Sequence, residues 1–463
     1  MREGIALTFI RRWLDALLPR GALLLALLTF ASYAMGLVRD RTFARMFGAA
    51  ADLDTYNAAL TLPELTLDIL VVSGLTAAFV PIFAAARERD PEAAERFSRT
   101  VLTVSILIMA VASVLLFIFA PATMAFVAPG FTPDRQALYA DLVRLTCVTS
   151  LIFAASFALG EMLVARQRFF SYGLAPLLYN AGIAGGALIL GPRIGIYGAA
   201  VGTVVGALMH LAIRVMEARR VGIRFGFSLA VSAAEFREFV RLALPKTVSQ
   251  PVEPLTFLFF TSVASGLAIG SVSSVNFARN FQSVPVSLIG VAFSVAAFPI
   301  LSAAAAAGER ARFMRLALTN LVTITLITGA AAVVLIVGAH FVINLFLAGD
   351  NFDAEDVQRT SLVLVAFSLS IPLESAVQLL ARAIYATHNT ILPVAGSVAG
   401  LAVTVATVEV LLPSQGIVAI PLAFTAGQAA KVALLLVAFV ARARTLRPTA
   451  ALLAGEPEAA APD

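Results

Sequence analysis

Residues 59–84 read ALTLPELTLDILVVSGLTAAFVPIFA and residues 278–302 read ARNFQSVPVSLIGVAFSVAAFPILS. Both are apolar stretches that end on a proline, Pro81 and Pro299, followed by an arginine-bearing loop. They lie about 218 positions apart, and the register holds downstream. APG at Pro129 answers LAGD at Gly349, APLLYN at Pro176 answers LPVAGS at Pro393, and Gly195-Ile196 answers Gly416-Ile417. Pro and Gly are frequent in membrane helices, so any one shared landmark means little, but four in one order exceed convergent use. A membrane-spanning half written twice is the signature of a transporter built from repeats.

Composition excludes the other large classes. Hydrophobic residues make up 60% of the chain and charged residues 13%, with a mean hydropathy of +0.92, which no soluble globular surface sustains. The 33 Lys and Arg and the pI near 9.7 would suit nucleic acid, but the basic residues sit mostly in short loops between apolar spans and read as topology signals. Cys147 is the one cysteine and there are three scattered histidines, so neither a disulfide nor a metal cluster is expected. No nucleophile constellation, metal set or phosphate loop marks an enzyme.

About twelve stretches are long enough to cross about 30 Å of hydrocarbon at 1.5 Å per residue. The expected fold is therefore an all-α polytopic membrane protein, with about twelve transmembrane helices in two six-helix lobes. Loop arginines orient it. Arg2, Arg11, Arg12 and Arg20 precede the first span; Arg87, Arg89, Arg96 and Arg99 follow the second; Arg166 and Arg168 the fourth; Arg219, Arg220 and Arg224 the sixth. The second half repeats this with Arg310, Arg312 and Arg315, then Arg382, then Arg442, Arg444 and Arg447. These loops are expected on the cytoplasmic side with both termini, and the acidic GDNFDAEDVQ and uncharged LPSQG loops opposite. An even number of spans per half places the pseudo-two-fold axis along the membrane normal. The expected division is an interfacial N-terminal helix over 1–20, an N-lobe over 21–220, a C-lobe over 221–447 and a disordered cytoplasmic tail over 448–463. The first of these rests on Ile5, Phe9, Trp13 and Leu17, which recur every four residues among arginines.

One loop breaks the charge rule. Arg39, Arg41 and Arg45 follow the first span on the expected outer side, accompanied by Asp40, Asp52 and Asp54. For Arg41 and Arg45 a salt-bridged loop is the plain reading. Arg39 ends the apolar stretch SYAMGLVRD, where a guanidinium facing the lobe interface suits an anionic headgroup. In the second half, NFARNFQSVP places Arg279 and Asn280 inside or near the mouth of the eighth span. An intramembrane arginine costs roughly 2.5–3.5 kcal/mol on insertion scales, so it faces a partner or water, or snorkels. The two arginines are expected to converge on one anionic diphosphate. Span seven carries LPKTVSQPVEP, whose Pro245, Pro251 and Pro254 break the helix and whose Lys246, Gln250 and Glu253 bring polar groups into it. Glu253 and Gln250 are candidates for ion coupling, and pairing of Glu253 with Lys246 or Arg279 is the competing reading. Glu64, Asp68, Glu161, Glu374 and Glu409 are further single carboxylates whose depth the sequence does not fix.

Together these residues resemble a known family. SYAMGLVRDRTFARMFGAAADLDTYNAALTLPEL, the SGLTAAFVP that follows, APGF at 128–131 and VAFSVAAFPILS at 291–302 are similar to the corresponding segments of the MurJ/MviN lipid II flippases. These belong to the multidrug/oligosaccharidyl-lipid/polysaccharide exporter superfamily. The resemblance implies a central cationic cavity that accepts a polyprenyl-diphosphate-linked sugar. It places the family's cavity Arg-Asp pair on Arg39 and Asp40 and its helix-two aspartate on Asp54. The chain departs from the pattern at Tyr33 and near Leu67 and Asp68, where the family has arginines, and in span eight, where the family arginine aligns with Asn280 and Arg279 is one position away. The two additional C-terminal helices that many lipid II flippases carry are not expected after span twelve here.

The expected function is translocation of a lipid II-like precursor across the bacterial cytoplasmic membrane by alternating access. An exporter of another lipid-linked glycan or an amphiphilic cation, and a transport-inactive scaffold in envelope synthesis, are the alternatives. No cofactor is expected; coupling is to Na+, H+ or the membrane potential, with Glu253 and Asp54 as candidate carboxylates. Expected partners are the lipid-linked sugar, membrane lipids and cell-wall synthesis proteins, with no nucleic acid.

Overall fold

The computed structural model describes residues 20–249 and 251–446. The helix expected over 1–20 (Arg20 excepted), the tail and Gln250 lie outside the described residues. Helix dominates, and no strand occurs among the described residues beyond an isolated bridge between Gly349 and Phe352. The chain is an all-α polytopic membrane protein: nine described stretches are long and apolar enough to cross a membrane.

The first half runs α1 (Arg20–Phe47), α2 (Ala51–Leu67), α3 (Ser73–Arg89), α4 (Pro91–Val127), α5 (Gln136–Val164), α6 (Phe170–Ile194) and α7 (Tyr197–Arg220). The second runs α8 (Ala234–Ser249), α9 (Val252–Ser265), α10 (Ser271–Pro285), α11 (Ala292–Ala306), α12 (Arg310–Leu347), α13 (Ala354–Ser368), α14 (Ile371–Tyr385), α15 (Ile391–Gln415) and α16 (Ala419–Arg444). α2 and α3 form one rod joined by a π-helical turn at Asp68–Val72, and α10 and α11 one rod joined by a π-helical turn at Val286–Val291. A π turn inserts a residue into the helical repeat and commonly marks a functional site. That both halves carry it at matching positions shows the repeat in local structure. The two interior turns match as well: Gly195 has φ 59° and ψ −139°, Gly416 φ 53° and ψ −132°, a region open essentially to glycine alone. Of the three prolines expected to break the seventh span, only Pro251 stands between helices, while Pro245 lies within α8 and Pro254 in the first turn of α9, where a proline's missing N–H costs no helical bond. α8 ends at Ser249 and α9 starts after Pro251, whose missing N–H is tolerated at a helix start.

The described chain forms two compact units. One comprises residues up to Val272 with Phe346–Asp353, the other Ser273–Leu345 with the residues from Ala354. The first extends past residue 220 because α8 packs along α3 and α9 against α2 and α4. Its core stacks Phe79 on Phe83 and Phe97, with Leu75, Phe153, Leu159 and Met162 around them. The second unit's core gathers Leu301, Phe313, Leu379, Leu380 and Phe439.

Within the first unit, two loops are seated on helix ends in a repeated arrangement. Gly130 N donates to Ser265 Oγ at 3.1 Å, and a Cβ on Gly130 would lie 2.3 Å from Gly266 Cα. Asn351 Nδ2 donates to the carbonyls of Arg45 at 2.8 Å and Met46 at 3.3 Å, and a Cβ on Gly48, at φ 67°, would lie 1.9 Å from Asn351 O. Arg41 Nη1 donates to Phe346 O at 3.2 Å. So the loop after α4 sits on the end of α9, and the loop after α12 sits on the end of α1. Both the loops and the helix ends they cover are about 218 positions apart. Asn351→Ala is expected to remove two hydrogen bonds worth about 0.5–1.5 kcal/mol each. A cysteine placed at Ala348 should then react faster with a maleimide in detergent, and an unchanged rate would mean that other contacts hold the segment.

Candidate functional site

Each unit carries an arginine that is oriented by a carboxylate, Arg39 by Asp40 and Arg279 by Glu374. In the first unit, Arg39 on α1 donates through Nε at 3.0 Å and Nη2 at 2.7 Å to Oδ1 of Asp40, and through Nη1 at 2.9 Å to Oδ1 of Asn180 on α6. Asn180 in turn donates Nδ2 to Pro176 O at 3.1 Å, which turns its carbonyl oxygen toward the guanidinium. The Asp40 side chain is 3% exposed and that of Arg39 23%, so the carboxylate is shut in while the arginine keeps an open edge. Three of the five guanidinium N–H groups are engaged, and two remain for a ligand.

Polar residues of α2, α6 and α7 surround this pair. Buried Tyr56 shares a 2.7 Å hydrogen bond with Thr203 Oγ1. Glu64 and Tyr179 lie within electrostatic reach of Arg39, and Asp68 within reach of Glu64. Glu64 is exposed and Asp68, at the start of the π turn, half-buried. The face near Arg39 therefore presents acids in the stretch where the resemblance would have placed an arginine.

Asp54, 2% exposed at the start of α2, accepts from Gly270 N at 2.7 Å, and so clamps the loop that begins α10. Arg41 donates to the Phe346 carbonyl, as described above.

In the second unit, Arg279 on α10 makes a two-pronged ion pair with Glu374 on α14: Nη1 to Oε2 and Nη2 to Oε1, both at 2.8 Å. Gln282 locks it. Its Oε1 accepts from Arg279 Nη1, and its Nε2 donates to Glu374 Oε2 and to Ser370 Oγ, each at 3.1 Å. The guanidinium lies over the Phe424 ring, 5.2 Å from its centroid. Arg279 thus faces a partner within its own unit, which answers the snorkelling alternative. Asn280 is half-buried beside it, its carbonyl accepting from Ser283 Oγ at 2.8 Å. Glu253 is exposed in the first turn of α9, where the helix dipole favours a carboxylate.

Asn180, Gln282, Ser370, Glu374 and Phe424 were not singled out as site residues from sequence. Asn180 stood in view only as part of the APLLYN landmark. Glu374 was one carboxylate among several, and nothing local ties it to an arginine 95 positions away.

The helix order, the paired π turns and the two oriented arginines set the context for comparison with known proteins. A family profile described as "MurJ: Lipid II flippase MurJ" matches residues 43–453. The chain belongs to the MurJ family. A "Probable lipid II flippase MurJ" from Borreliella burgdorferi is 25% identical over 350 residues, covering 75% of this chain and 69% of the relative. Another from Rickettsia prowazekii is 25% identical, covering 81% and 74%. Among solved structures, "Lipid II flippase MurJ, inward closed conformation" aligns over 94% of both chains with a TM-score of 0.79 at 22% identity. An inward-facing multidrug resistance MATE family transporter of the MOP superfamily aligns over 92% of this chain and 96% of that one, with a TM-score of 0.75 at 14% identity. MurJ membership fixes the class as transporter rather than enzyme, and the MATE likeness extends the fold, not the cargo, to the wider superfamily.

Proposed function

We propose that this MurJ-family chain flips lipid II, a polyprenyl-diphosphate-linked sugar, across the bacterial cytoplasmic membrane by alternating access. The observation that carries the reading, beside family membership, is Arg39: a guanidinium that closes an apolar stretch of α1, held by Asp40 and Asn180 with two N–H groups left over. Insertion of such a group is costly, and a planar fork is suited to phosphate oxygens. The loop charges support cytoplasmic termini, and the sequence repeat supports 21–220 and 221–447 as the lobes that move.

The membrane potential favours export of this cargo. Moving one negative charge out of an inside-negative cell is worth about 2.3 kcal/mol per 100 mV, so a diphosphate gains without any bound ion. Glu253 is the candidate for coupling to H+ or Na+, and Glu253→Gln is then expected to flatten the dependence of transport on those ions. Identical pH and sodium profiles in parent and variant would remove Glu253 from the mechanism. The reading itself is tested by purified protein in liposomes holding fluorescent lipid II: arrival in the opposite leaflet above the rate of empty liposomes is expected, and equality with empty liposomes contradicts it.

A further inference from the structure

We propose that Glu64 is a specificity-determining residue of the Arg39 site: its carboxylate receives a protonated amine of the cargo while Arg39 receives the phosphate, so the site selects a lipid-linked headgroup that carries both charges. The inference rests on the flippase reading above and narrows its cargo. Glu64 lies on α2 and Asp68 four positions on, at the start of the π turn, in a rod long and apolar enough to cross a membrane. Glu64 is exposed and Asp68 half-buried, and among the described residues neither is engaged by a hydrogen bond or an ion pair. An unpaired carboxylate in such a stretch is costly and, as a rule, is retained for function. Glu64 stands within electrostatic reach of Arg39, and Tyr179 within reach of both. Arg39 keeps one N–H on each terminal nitrogen beyond those given to Asp40 and Asn180. An anion-accepting fork and an open carboxylate therefore flank the same tyrosine.

Other roles for Glu64 fit less well. Arg39 does not need it as a counter-ion, because Asp40, with a side chain 3% exposed, already takes Nε and Nη2. With Asp40, Glu64 and Asp68 ionised beside one arginine, the group is net negative and repels a diphosphate that arrives alone. A positive charge on the cargo removes that repulsion and gives the open carboxylate a partner. A bound metal ion would do the same, but it needs several oxygen ligands in one cage. No group of three or more acidic, histidine or cysteine side chains that could hold one occurs among the described residues. An ammonium is a compact charge with three donors, which one or two carboxylates satisfy. Proton uptake by the acids would also lower the repulsion, but it would treat cargoes with and without an amine alike.

The test uses the full chain in detergent and calorimetry with two probes: lipid II whose peptide carries a free amine, and the same lipid II with that amine acetylated. Both keep the diphosphate and the tail, and only the first brings a positive charge. The parent is expected to bind the free-amine probe about tenfold more tightly, the size of one charge-assisted hydrogen bond. Glu64→Gln is expected to bring the two affinities within about twofold of each other, by weakening the free-amine probe while holding or tightening the acetylated one. A merely structural Glu64 would weaken both probes alike. Asp68→Asn should reduce the preference in part and carries the comparison should Glu64→Gln not fold; the preference of the parent needs no variant. Equal affinities in the parent, at any pH, overturn this inference alone. So does a preference that Glu64→Gln leaves intact, or an equal loss of both probes in that variant. A parent chain that binds neither probe overturns the flippase reading as well.

Discussion

Arg39→Ala is expected to reduce lipid II translocation on the order of 10- to 100-fold, the range that follows from losing a charge-assisted hydrogen bond of about 1.5–3 kcal/mol. The variant also leaves Asp40, 2% exposed, without its guanidinium, and breaking a buried pair costs about 3–5 kcal/mol. Stability and transport must therefore be separated. Adding Asp40→Asn removes the charge that Arg39 had balanced, so the double variant should recover thermal stability in detergent and remain deficient in transport. Arg39→Lys keeps the charge but loses the planar fork that spans Asp40 and Asn180 together, and should transport at an intermediate rate. Parent-like translocation by the double variant would remove Arg39 from substrate binding.

The second large effect concerns stability and is set by two adjacent glycines. On α6, a Cβ at Gly186 would lie 2.4 Å from Gly202 Cα and 2.6 Å from Gly198 O, both backbone atoms of α7, whereas a Cβ at Gly185 meets nothing within 4 Å. The same close approach recurs at Gly182 against Gly206, so the α6/α7 hairpin is a backbone-to-backbone contact of the kind small residues allow in membranes. Gly186→Val must push the helices apart and is expected to cost about 3 kcal/mol or more, at the upper end of overpacking. Gly185→Ala, one position away, should stabilise by about 0.5–1 kcal/mol through helix propensity alone. Thermal unfolding of the two purified variants checks the contrast, and equal midpoints would contradict the packing described for α6 and α7.

Much of this was legible in the sequence because it depends on residues with one physical meaning. Gly195 and Gly416 mark turns that only glycine makes, and Pro251 stands between α8 and α9 in the seventh span. Arg39 was visible because a charge closing an apolar stretch is expensive, and Arg279 for the same reason. Their partners were not visible. Asn180 and Glu374 reach their arginines from other helices, 141 and 95 positions away, and one amide or carboxylate in a helix carries no signal of what it will meet. The π turns at Asp68–Val72 and Val286–Val291 were hidden inside the two stretches whose likeness revealed the repeat. Nor did the sequence show Phe346–Asp353 joining the first unit, since the hydrogen bonds of Asn351 and Arg41 there end on backbone carbonyls, which carry no sequence identity. Asp54 was read as a site residue, and the structure gives it a loop to hold, through an N–H that has no sequence identity.

The most direct measurement of the central claim is leaflet exchange of fluorescent lipid II in liposomes containing the purified chain, with and without an imposed potential. Protein-dependent exchange that rises when the compartment receiving the headgroup is made positive, and that falls on the order of 10- to 100-fold in the Arg39→Ala/Asp40→Asn variant, is the predicted result. Exchange no faster than in protein-free liposomes, or exchange that the variant leaves unchanged, would contradict the account.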